Sequence, residues 1–153
     1  MIGNNNWNMK IREIESFDDC SVIILYGSEQ EFRQWLDEND ASEAKQFRST
    51  QEWMQSAGTM LGMCTKIRRD RHYVHVVWVL ERDGDHLFDV VGTLAHEATH
   101  MVDNMELFIC NRMDGSPKNE RMPRELRARV VESIVKAGSQ MIIGEYINDN
   151  KHD

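Results

Sequence analysis

The sequence predicts an α+β domain on three observations. Two short runs, "SVIILYG" (21–27) and "HYVHVVWVL" (72–80), are dense in apolar and β-branched residues, and two longer segments, 87–105 and 126–142, repeat apolar residues every three or four positions. Apolar runs bounded by turn residues fit strands, and the three-to-four repeat fits amphipathic helices. No repeat, low-complexity tract or Pro/Gly/Ser-rich linker divides the chain. Its 153 residues therefore read as a single domain, 1–153, long enough to bury roughly 70% of the surface of the unfolded chain.

The first strand ends at Gly27, and a helix from about 29 to 38 follows it. Ser28 and Glu31 have the spacing of a capping box, and Phe32, Trp35 and Leu36 fall on one face. A second helix is expected over Ser42–Ala57, with Gly58 ending it. The runs 59–67 and 72–80 flank the charged "RRDR" and predict a β-hairpin. After the turn signal "DGD" (83–85), Leu87, Val90, Val91, Leu94, Ala98, Met101, Val102 and Met105 mark a helix of about 20 residues. A loop containing "DGSPKNE" (114–120) leads to a last helix, with Pro123 in its first turn, Leu126, Val130 and Ile134 on one face, and Gly144 near its end.

The net charge of −8 repels the nucleic-acid backbone and anionic membrane surfaces, so neither is an expected partner. The basic clusters "KIRRDR" (66–71) and "RELRAR" (124–129) are local, and the first reads as a solvated hairpin turn. Cys20, Cys64 and Cys110 are far apart with no CxxC pair, which predicts neither a disulfide framework nor a thiolate zinc site and suits a reducing cytosol. With no signal-peptide pattern and no apolar run approaching 18 residues, a cytoplasmic location is expected.

The chemistry is concentrated in "HEATH" (96–100). Residues four apart on a helix project from the same face one turn apart, so His96 and His100 can both reach one zinc ion at about 2.0–2.1 Å. Glu97, displaced by about 100° around the helix, is placed to take a proton from water in an open coordination position. Zinc lowers the pKa of such water to about 7, and the water can then attack a polarised peptide carbonyl. Gly92, Ala95, Ala98 and Thr99 leave room around the histidines. Catalytic zinc usually has three protein ligands, and Asp103, Glu106, Glu120, Glu125 and Glu132 are candidates for the third. Asp103, one turn beyond His100, better suits a partner that orients a histidine. Glu106 would require the helix to end sharply near Asn104. Glu125 falls in the first turn of the last helix, a position the helix dipole favours for any carboxylate.

With "HEATH" followed by "ELRA" (125–128), the sequence resembles the gluzincin branch of the zincin metallopeptidases, whose members carry HExxH on one helix and a glutamate ligand on a following one. The resemblance covers about residues 72–143, and in size the chain is similar to minimal gluzincins and to compact HExxH proteins of bacteria and their phages. It implies a zincin-like fold: a small β-sheet whose edge strand packs on the HExxH helix, with 72–80 as that edge strand, and a following long helix. It also implies Zn2+ as cofactor, His96, His100 and Glu125 as ligands, Glu97 as general base, and a peptide or protein substrate. Where the family often has asparagine before the ligand glutamate, this chain has Arg124. Tyr73, His75 and Arg129 are alternative donors to a developing oxyanion, and Tyr146 and His152 lie far along the chain. The expected activity is zinc-dependent peptide-bond hydrolysis. The alternatives are a non-catalytic zincin-fold binding or regulatory protein, such as a phage might encode, and an acidic interaction protein without metal.

Overall fold

The computed structural model describes residues 8–15, 21–40, 45, 60–69, 72–112 and 124–149, with the backbone alone at 72, 106–112 and 145–149. Four strands and three helices follow in the order β1 (Lys10–Glu15), β2 (Ser21–Gly27), α1 (Glu29–Asn39), β3 (Gly62–Arg69), β4 (His72–Leu80), α2 (Leu87–Arg112) and α3 (Arg124–Asp149). The α+β class is as the sequence predicts. The helix expected over 42–57 lies, apart from Lys45, outside the described residues.

The strands form one mixed sheet in the order β1-β2-β4-β3. β1 is antiparallel to β2, β2 is parallel to β4, and β3 and β4 form the predicted antiparallel hairpin. Alternation along each strand sorts the core into two layers. Val22, Ile24 and Tyr26 of β2 join Val77 and Val79 of β4 against α2 and α3. Ile23, Leu25, Val74, Val76 and Trp78 face the opposite way, toward Phe32, Trp35 and Leu36 of α1. On that side the Trp78 ring stacks on Phe32 with centroids 4.6 Å apart, and its indole N–H donates to Gly27 O at 3.2 Å. α1 starts with the expected capping box, in which the Glu31 N–H donates to Ser28 Oγ at 3.2 Å and the Ser28 N–H donates to Glu31 Oε1 at 3.1 Å.

Two strand assignments differ from the sequence-based expectation. The run 72–80, expected at the edge, is an inner strand, and the edge beside α2 is β3. The physical reason is visible in β4: its valines and Trp78 are buried on both faces, as a continuous apolar strand requires, whereas β3 carries exposed polar residues. β1 was not foreseen. Its "KIREIE" alternates half-buried and exposed positions, a weak signal because Lys10 and Arg12 occupy the inward register. The Arg12 guanidinium instead donates to Ala137 O at 3.0 Å and Gln140 Oε1 at 3.2 Å, tying the edge strand to α3.

Both long helices exceed their predicted lengths. α2 runs unbroken to Arg112, and α3 passes through Gly144 to Asp149. α3 returns along α2, with Asp103 meeting Arg127 near one end and Leu94 meeting Gly138 near the other. That second contact is tight: a Cβ on Gly138 would lie 2.5 Å from Leu94 Cδ2, so the buried Leu94 side chain would have to shift to admit it. No helix among the described residues is long and apolar enough to cross a membrane. Overpacking a filled core usually costs about 1–3 kcal/mol. Gly138→Val should therefore lower unfolding free energy by about that much in urea titration, and an unchanged midpoint would show that the α2–α3 contact is loose.

Candidate active site

α2 presents different faces to different surroundings, and this separates the roles within "HEATH". Leu94, Ala98, Met101 and Met105 are buried against the sheet and α3. His96 and His100 are exposed on another face, with Nε2 atoms 3.0 Å apart and rings edge to face at a centroid distance of 4.6 Å. Two imidazole nitrogens at about 2.0–2.1 Å from one tetrahedral ion would be roughly 3.3 Å apart, so the pair suits a shared zinc ion.

Glu97 points between these faces toward the sheet edge and is only 8% exposed. Burial raises its carboxyl above the ordinary carboxylate range, opposed by His96, His100 and a hydrogen bond from the Cys64 backbone N–H. That donor exists because of the register of β3. Leu61 O accepts from Leu80 N at 2.9 Å, so Leu61 directs its carbonyl at β4, and alternation turns the backbone groups of Gly62, Cys64, Lys66 and Arg68 outward. Two of those outward N–H groups are accounted for: Cys64 donates to Glu97, and Arg68 donates to Asp40 Oδ2 at 3.0 Å.

The close approach of β3 to α2 depends on Gly62. A Cβ there would lie 2.8 Å from Trp78 O, 2.9 Å from Glu97 Cγ and 3.1 Å from Thr93 Cγ2. Next along the strand, burial first and then the Glu97 charge push the Cys64 thiol up to about 11, while Asn104 Nδ2 donates to its sulfur at 3.3 Å. The thiol is thus protonated at neutral pH. Beside His96 and Glu97 a cleft of about 610 Å³ opens between Met60–Gly62 and the first turns of α2.

The described candidates for a third ligand have other partners or surroundings. Glu125 is in the first turn of α3, largely exposed, and accepts from Arg129 Nε at 3.3 Å. Asp103, expected to orient a histidine, pairs with Arg127 of α3. Glu106 lies within unbroken α2, so the sharp turn it would need does not occur. Glu132 lines an apolar groove between α2 and α3, and Glu120 lies outside the described residues. Among the described residues no group of three His, Cys, Asp or Glu side chains is arranged to hold a metal ion. Of the oxyanion candidates, Tyr73 packs under the Lys66 ammonium at 4.8 Å, and Arg129 is committed to Glu125. His75 is buried, while the Tyr146 side chain and His152 are not described. Arg127, which sequence reasoning passed over, is the cation that reaches Asp103, one turn from His100. Only the return path of α3 brings it there, and no local pattern announces that path.

No protein-family model, curated protein or solved structure matches the chain.

Two outcomes follow from this geometry. Gly62→Ala should press β3 away from α2, lowering stability by about 1–3 kcal/mol and speeding amide exchange at Cys64. Unchanged exchange would mean that the Cys64–Glu97 bond does not need this contact. Burial, with Lys66 adding to it, lowers the His75 pKa from the ordinary 6.5 to about 4, so its neutral form is the folded one. Its contribution to stability is complete above about pH 6.5 and is lost as pH falls toward 4, roughly 2 kcal/mol being gone at pH 5. Urea titrations at pH 7.5 and 5 should show that loss in the wild type and a smaller one in His75→Gln, and equal losses would remove His75 as the cause.

Proposed function

We propose that the chain is a zinc-dependent peptidase of the gluzincin kind, with His96 and His100 holding the metal and Glu97 acting as general base. The observation that carries this reading is the convergence of three features at one sheet edge. Two exposed imidazoles have nitrogens 3.0 Å apart, a carboxylate is buried next to them, and the outward backbone of β3 runs alongside. A zinc ion held there would supply Lewis acidity, polarising a peptide carbonyl and making water acidic near neutral pH.

The protein's own groups account for the remaining steps. An extended peptide adds to the edge of β3, using outward backbone groups such as those of Gly62 for main-chain hydrogen bonds that are indifferent to side chains. A carboxylate oxygen of Glu97 takes the proton from the attacking water and delivers it to the leaving amine nitrogen. A base is most effective when its pKa lies near the working pH, and burial moves Glu97 in that direction. The Cys64 N–H holds the carboxylate in place while it cycles. Glu125, as the ligand implied by the ELRA resemblance, would have to leave Arg129 to join the histidines.

The second reading, a binding or regulatory protein of zincin-like fold that does not cleave, is favoured by one observation: the exposed Glu125–Arg129 pair leaves the two histidines without a third described ligand. Metal analysis and peptide hydrolysis on the same samples separate the two. Wild type should bind one zinc per chain and cleave unstructured peptides. Glu97→Gln should keep the zinc and lose about 10²–10⁴-fold in kcat, whereas His96→Ala should lose both. Turnover in Glu97→Gln equal to wild type would sink the mechanism, and stoichiometric zinc without any turnover in wild type would favour the second reading.

A further inference from the structure

The basic cluster 66–71 contributes its first four residues to β3, not to the hairpin turn. Side chains directly opposite one another in an antiparallel ladder share a face of the sheet. Gly62 stands opposite Val79 and Cys64 opposite Val77, both in the layer against α2 and α3. Lys66, opposite His75, and Arg68, opposite Tyr73, therefore project on that same α2 side. Both are exposed, and both continue the edge along which Gly62 and Cys64 meet Glu97.

The charges around these two residues leave a local excess of positive charge. Arg69 lies on the other face and pairs with Glu13 at 3.1 Å, and Asp103, whose charge reaches Cys64, pairs with Arg127. The Lys66 ammonium stands over the Tyr73 ring, 4.8 Å from its centroid. The Arg68 guanidinium makes no hydrogen bond or ion pair among the described residues. Its backbone N–H, by contrast, already donates to Asp40 Oδ2 at 3.0 Å. A peptide strand added to this edge thus ends its ladder at Lys66, with one cation directly across from that last residue and a second diagonal to it. The net charge of −8 gives no long-range attraction for an acidic peptide, so these cations act only at contact, within a screening length of about 8 Å.

The direction of the strand fixes which part of the peptide they meet. Antiparallel pairing, the more stable per residue, runs the peptide from Arg68 toward Gly62. The carbonyl under attack is level with Gly62 and Cys64, the two residues that touch Glu97. A residue opposite Lys66 comes before it in the peptide.

We propose that the edge of β3 selects peptides with an acidic residue about two to four positions on the amino-terminal side of the scissile bond, received by Lys66 and Arg68. The proposal rests on the peptidase reading and adds to it the class of peptide the site prefers.

The test uses the zinc-loaded protein and internally quenched peptides in which Glu, Gln or Lys is placed at one position at a time on either side of a single cleavable bond, with products mapped by mass spectrometry. In wild type at low salt, kcat/KM at one amino-terminal position should be about tenfold higher for Glu than for Lys, with Gln between them. The ratio should shrink in about 1 M salt, where the screening length is about 3 Å. Lys66→Glu with Arg68→Glu, both at exposed positions, should invert the order. Lys66→Gln with Arg68→Gln, which removes the charges and adds none, should bring the ratio close to one. A parallel arm measures fluorescence anisotropy of the same peptides, unquenched, with Glu97→Gln, where affinity should follow the wild-type order. Cleavage with no charge preference, with a preference confined to the carboxyl-terminal side, or with one that survives both double substitutions overturns this inference and leaves the peptidase reading standing. Charge-dependent binding with no cleavage by wild type supports the acidic-strand site and overturns the peptidase reading, and absence of both binding and cleavage overturns the two together.

Discussion

The contact of β3 with α2 at Gly62 is closer than any other residue would permit, and the arrangement around Glu97 depends on it. With Trp78 O and Glu97 Cγ both within 3 Å of where a Cβ would stand, the strand backbone comes close enough for the Cys64 N–H to reach the Glu97 carboxylate. A buried carboxylate without such a donor would bear its desolvation unrelieved. With the donor, and with two imidazoles on the neighbouring face, Glu97 stays inside while its pKa rises.

The rest of the fold serves to hold α2 in that position. One side of the helix is set by Leu94, Ala98, Met101 and Met105 in the core, so its rotation about its own axis is fixed. Glu97 then turns toward the sheet edge, and His96 and His100 turn toward solvent. α3 secures the helix as well, through Gly138 against Leu94 and Arg127 against Asp103. β4 is buried on both faces between α1 and the helix pair, and it carries the register that turns the Gly62 and Cys64 backbone outward. Core packing and site geometry are in this sense one constraint.

How much of this the sequence discloses depends on whether each signal is local. Helices α1 and α2, the strands at 21–27 and 72–80, and the hairpin were legible because burial imposes short-range periods on their residues. The facing pair His96 and His100 was legible for the same reason, four residues being one helical turn. Strand order was not, because a run as apolar as β4 fits any position buried on both faces, and only the parallel pairing with β2 makes it an inner strand. β1 escaped notice because the inward positions of an edge strand can carry Arg12, whose guanidinium finds partners on α3. The Cys64 N–H that steadies Glu97 is a backbone group and leaves no trace in residue type. "ELRA" gave a motif without a direction: the side chain of Glu125 faces Arg129, and Arg127 pairs with Asp103 of α2.

On the reading proposed above, His96 and His100 would together bind one zinc ion at the edge of this sheet, with Glu97 beside the metal and the Cys64 thiol outside its shell. X-ray absorption at the zinc edge of the stoichiometrically loaded protein tests it most directly. The expected shell is nitrogen and oxygen at about 2.0–2.1 Å and includes two imidazoles. A sulfur ligand at about 2.3 Å, or a shell without imidazole scattering, would contradict it.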